Sequence, residues 1–82
     1  MNSMGEIQFL QHARERMQRY EISEQVVRTT IDHPDQVSDT YGSRKIYQKR
    51  IDNYVLRVIV EEYKGAKRIV TVYRAKAERY AV

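Results

Sequence analysis

Tyr54-Val-Leu-Arg-Val-Ile-Val-Glu-Glu-Tyr-Lys-Gly-Ala-Lys-Arg-Ile-Val-Thr-Val-Tyr73 decides how this chain folds. It holds two β-branched runs, 54–61 and 68–73, on either side of a polar segment with one glycine. Val, Ile, Thr and Tyr suit a pleated surface, and a short glycine-bearing connection suits an antiparallel hairpin. Alternation along the first run puts Leu56, Val58 and Val60 on one face and Arg57, Ile59 and Glu61 on the other. Along the second, strict alternation groups Val70 with Val72, and Ile69 with Thr71 and Tyr73. The aliphatic faces need a cover. The mixed face, with Arg57, Thr71 and Tyr73, is the natural place for chemistry.

The cover comes from upstream. Ile7 and Phe9 alternate with polar residues and predict a short edge strand over 6–10. In the segment 12–20, Ala13, Met17 and Tyr20 form one helical stripe and His12, Arg16 and Arg19 its neighbour. The first stripe is expected to pack in the core. Ser23 is suited to cap a second helix, Glu24 favours its positive end, and Ile22 can staple onto Val27. Val26, Val27 and Ile31 give that helix an apolar face, and Pro34 ends it near Asp32 or His33. Strands are expected around Val37 and over 44–51, with turns at Tyr41-Gly42-Ser43 and Asp52-Asn53.

The expectation is one α+β domain over 1–82. Two N-terminal helices pack on a curved, mainly antiparallel sheet of four to five strands, ordered β-α-α-β-β-β-β. Residues 1–5 read as a flexible start and 74–82 as a short tail, a helical turn or extended.

Composition narrows the function. The 82 residues contain no cysteine, which removes disulfides, thiol nucleophiles and thiolate metal sites. His12 and His33 are isolated and the carboxylates are not clustered, so neither a metal nor a cofactor is expected. No signal peptide or run near the ~20 apolar residues of a membrane span is visible, which predicts a cytoplasmic protein without a membrane partner. Charge is divided along the chain. Residues 1–42 carry four bases against seven acids, net −3, and residues 43–82 carry eleven against four, net +7. A basic sheet half points to an anionic partner, nucleic acid or an acidic protein. Surface solvation by Lys and Arg explains the composition equally well. Seven tyrosines, with Tyr41, Tyr63 and Tyr80 outside any obvious core pattern, also make a homodimer interface a candidate.

His12-Ala13, Arg16-Met17, Ile22-Ser23, Pro34, Gly42, Tyr47, Leu56-Arg-Val-Ile-Val60 and Ile69-Val-Thr-Val-Tyr73 together resemble a small family catalogued as a domain of unknown function, number 4258. The resemblance covers roughly residues 7–75. More distantly the chain is similar to RelE/ParE-like toxins of toxin–antitoxin systems. That resemblance implies two helices on a curved sheet with a basic open face. It also implies a metal-independent endoribonuclease with RNA as substrate and a cognate antitoxin as partner.

Such chemistry needs a group to take the 2′-hydroxyl proton, a cation on the phosphate, and a donor for the leaving 5′-oxygen. On that pattern Lys49, Arg57 and Tyr73 are the candidate catalytic residues, with His12 as a further one. Lys45, Arg74 and Lys76 are candidates for holding RNA. Each has a plainer reading: Tyr73 as a packed strand tyrosine, Arg57 as a cross-strand ion pair, Lys45 and Lys49 as edge charges, His12 as a neutral helix residue. The ParE-like branch shares the fold without cutting RNA, so a binding module without catalysis stays open beside the nuclease. The two differ in geometry. A nuclease gathers Lys49, Arg57 and Tyr73 within reach of one phosphate, whereas a binding module leaves them dispersed.

Overall fold

The structure, a computed structural model, describes residues 6–79. The expected flexible start and the last residues of the tail, including Tyr80, lie outside them. Strand β1 (Glu6–Phe9) leads into helices α1 (Gln11–Arg19) and α2 (Glu24–Asp32). Strands β2 (Gln36–Asp39), β3 (Arg44–Ile51), β4 (Tyr54–Tyr63) and β5 (Ala66–Lys76) follow, then a 3-10 turn at Ala77–Arg79. The sheet order is β1-β5-β4-β3-β2. β1 runs parallel to β5 and the other three ladders are antiparallel. The fold is therefore the expected α+β layer pair, with β4 at the sheet centre. No helix among the described residues is long and apolar enough to cross a membrane.

The connection between the helices is built by backbone chemistry. Ile22 N–H donates to Met17 O at 2.8 Å and Glu21 N–H to Gln18 O at 3.4 Å, the paired bonds of a Schellman termination. Ile22 and Met17 are both buried, supplying the apolar contact that accompanies it. Ile22 also precedes the next cap, where Ser23 accepts from Val26 N–H at 3.1 Å. One residue thus closes α1 and staples α2. The left-handed position falls on Glu21, φ 54°, where glycine is usual. Glu21→Gly is therefore expected to raise stability by roughly 0.5–1 kcal/mol. A shift of the urea midpoint upward at constant slope would show it.

Both helices lie on one side of the sheet, α1 over β5 and α2 over β3 and β4. Ala13, Met17, Ile22, Val27 and Ile31 meet Tyr47, Leu56, Val58, Val60, Ile69 and Val72 there. Phe9 sits beneath the Arg14 and Arg28 guanidiniums, at 5.1 and 5.4 Å from its ring centre. Glu24 approaches both arginines, at 3.6 and 3.9 Å, so this cluster ties the two helices to β1. Tyr47 is buried among these side chains, and burial, with the Glu62 charge adding to it, raises its phenol above the ordinary tyrosine value.

The organising hairpin is longer and tighter than its sequence suggests. Instead of a six-residue connection, Tyr63 pairs with Ala66 across a two-residue turn. Lys64 (φ 50°) and Gly65 (φ 81°) both take positive φ, the pattern of a type I′ turn. At the other end β5 runs on through Arg74 and Lys76, so the first part of the expected tail is strand. One alternation fails. A β-bulge sets Val60 opposite Ile69 and Ile59 opposite Thr71, leaving Val70 as the extra residue. Ile69 is consequently buried under the helices with Val72 rather than sharing the face of Tyr73.

Candidate functional site: the arginine face of the sheet

The face away from the helices is assembled by register. Across it, Gln36, Gln48, Arg57 and Tyr73 follow one another on β2, β3, β4 and β5. A second row runs Arg44, Glu61, Arg68 and Gln8 over β3, β4, β5 and β1. Between them lies a row of Ser38, Ile46, Ile59 and Thr71. The two polar rows are four residues apart on β4, about 13 Å at strand rise. Arg50, opposite Val55, adds a further cation toward one end.

Every base on these strands' open face is arginine: Arg44, Arg50, Arg57 and Arg68, against Glu6 and Glu61. The strand lysines Lys45, Lys49, Lys67 and Lys76 share the helix side instead. That partition matters, because a guanidinium offers a planar fork of donors that fits phosphate oxygens two at a time, whereas ammonium is a point charge. Arg57 lies over the Tyr73 ring at 5.5 Å from its centre, and Arg68 over Tyr63 at 5.0 Å. Gln48, between Gln36 and Arg57, is only 4% exposed and forms part of the floor.

Of the residues expected to form a site, Arg57 and Tyr73 come together as direct cross-strand neighbours. The others do not join them. Lys49 lies on the opposite face, where its Nζ donates to His33 O at 2.9 Å beside the end of α2 and stands 4.0 Å from Asp35. Its position satisfies the carbonyl end of a helix, which favours a cation. Lys45 and Lys76 are on that same side, opposite Val60 and Tyr54. Arg74 stacks on Tyr54 at 5.4 Å and donates to the Tyr20 carbonyl, fastening the end of α1 to β5. His12 is exposed on α1, where a shallow cleft runs past Glu15, Arg16, Gln18 and Arg19. The sheet itself separates it from Tyr73. The convergent set that a nuclease centred on Lys49, Arg57 and Tyr73 requires is therefore not formed, because adjacent strand positions 48 and 49 face opposite ways.

The other arginines on this face, Arg44, Arg50 and Arg68, carry a partial signal in the sequence. Arg44 and Arg50 share the parity of Gln48, the cross-strand partner of Arg57, so the β3–β4 register alone identifies them. Arg68 has the wrong parity relative to Tyr73, and only the bulge brings it round.

A family model described as "Domain of unknown function (DUF4258)" matches residues 9–74, and the chain belongs to that family. No curated protein and no solved structure matches it.

Proposed function

We propose that this protein binds single-stranded RNA along its arginine face and does so without cutting it. The observation that carries this reading is the Gln36–Gln48–Arg57–Tyr73 row, which sets a guanidinium, an aromatic ring and the exposed Gln36 along one strand face, with Gln48 buried beneath. Single strands are held by such combinations: cations on the backbone, and flat rings or guanidinium planes on which unstacked bases rest. The resemblance to RelE/ParE-like toxins supports RNA as the polymer. It also supports a role within a toxin–antitoxin pair, with an acidic antitoxin segment competing for the same arginines.

The contact between Arg57 and Tyr73 favours a second reading, a metal-independent endoribonuclease toxin. In that reaction the 2′-hydroxyl gives its proton to solvent water and attacks the adjacent phosphorus as the bond to the 5′-oxygen breaks. Arg57 would balance the phosphate charge, and the Tyr73 hydroxyl would give its proton to the departing 5′-oxygen.

One experiment separates the readings. Purified protein is titrated into a labelled single-stranded RNA, anisotropy is recorded, and the same samples are run on a denaturing gel. Saturable binding with intact RNA is the expected result. Cleavage that disappears in Tyr73→Phe, with binding retained, would replace it with the nuclease. Absence of binding at low salt would remove both.

A further inference from the structure

We infer that the turn end of the β4–β5 hairpin is a second contact point for the same RNA, so that the strand runs lengthwise along β4 and β5. The inference rests on the RNA-binding reading and adds to it a direction and a second anchor. Tyr63 is 49% exposed at this end, a large aromatic ring left open to solvent. Lys64 and Arg68 both approach its ring, at 5.3 and 5.0 Å from the centre. The two-residue turn, with positive φ at Lys64 and Gly65, holds Tyr63 and Lys64 in a defined geometry. Arg68 Nε is buried and meets no hydrogen-bond acceptor among the described residues. Phosphate oxygens suit a guanidinium best, and Arg68 as a whole is only half-buried. Across Glu61, Arg44 faces the same space from β3.

The hairpin end therefore repeats the chemistry of the sheet centre. Arg57 with Tyr73 forms one arginine–tyrosine unit and Arg68 with Tyr63 the other, both on the open face. On β4 Ile59 and Glu61 lie between them, with Thr71 beside Ile59, and Glu61 is flanked by Arg44 and Arg68. Phosphates anchor at the two ends, and bases pack over Ile59 and Thr71. A strand crossing the sheet toward β2 along the Arg57 row instead meets the uncharged Gln48 and Gln36. The two arginine–tyrosine units, both on β4 and β5, favour the lengthwise path. They also favour a single strand, because stacking on Tyr63 needs an unpaired base.

The test is an amide NMR titration of the full-length protein with a uridine octanucleotide, followed by anisotropy on two variants. Amides of 55–59 and 71–75 are expected to shift together with those of 61–68, with one shared midpoint. Tyr63→Ala should weaken octanucleotide binding about 5- to 150-fold, the range for one lost base stack. Lys64→Asn keeps a residue suited to positive φ and preserves the turn, and should reduce the salt dependence by about 0.7 in slope for one lost phosphate contact. Shifts confined to the Arg57–Tyr73 end, or extending to Gln36, would overturn the lengthwise path while leaving RNA binding intact. So would wild-type affinity in both variants, or an RNA duplex of the same length binding as tightly. A wild-type protein that binds no octanucleotide removes the RNA reading itself.

Discussion

Replacing Leu56 by alanine is expected to lower the melting temperature by roughly 8–40 °C. Leu56 is fully buried on β4, the middle strand, beneath the helices. Truncating such a leucine removes its transfer free energy and leaves a cavity, together about 2–5 kcal/mol. In a domain of this size each kcal/mol moves the midpoint by roughly 4–8 °C. The loss is comparable with the whole stability of many small domains, because a short chain buries a limited fraction of its surface. Val37→Ala is the matched control. Val37 lies on edge strand β2 and is 43% exposed, so the change should stay within about 0.5 kcal/mol. Thermal melts followed by circular dichroism measure both. Equal shifts in the two variants would mean that the β4 face is not the core.

The layer arrangement was readable because its signals are local. Alternation over 54–60 names the buried face of β4, and Ser23 with Pro34 bounds α2 to within a residue. Ile22 was legible as a staple from its place before Ser23. Its second job, ending α1, depends on Glu21 accepting a left-handed conformation, which side-chain type argues against. The parallel placement of β1 beside β5 has no local cause at all. It follows from Leu10 N–H reaching Ile69 O and from Phe9 fitting under two arginines on different helices.

The candidate site was legible only where parity held. Arg57 and Tyr73 were placed correctly relative to each other because no irregularity lies between them and the β4–β5 pairing. Charge and the toxin resemblance group Lys49 with them. Period-two geometry on β3 assigns it to the face of Tyr47 and Ile51, which the core claims. Arg68 shows the converse. One extra residue at Val70 inverts its side, turning a base expected near the helices into part of the arginine face. A bulge in the middle of a β-branched run leaves no compositional mark, so the pairing alone reveals it.

Arg57→Glu and Lys49→Glu change the net charge by the same amount, from +4 to +2, yet only the first is expected to abolish tight RNA binding. The two positions lie on neighbouring strands but on opposite faces of the sheet. At position 57 a donor fork beside Tyr73 becomes an anion facing phosphate. Losing one charge-assisted contact costs about 1.5–3 kcal/mol, or roughly 10- to 150-fold in affinity, and the new repulsion adds to it. The salt dependence should also fall by about 0.7 in slope. At position 49 the cost falls on the fold instead. The Lys49 bond to His33 O is lost, and a second carboxylate meets Asp35 and the negative end of α2, for about 1–2 kcal/mol of stability. RNA affinity of that variant should remain within about threefold of wild type, since long-range charge alone is strongly screened at 0.15 M salt. Anisotropy titrations of both proteins at one ionic strength, beside urea melts, read the two axes separately. An equal fall in affinity would reduce the interaction to net charge, and no fall in Arg57→Glu would move the interface off this face.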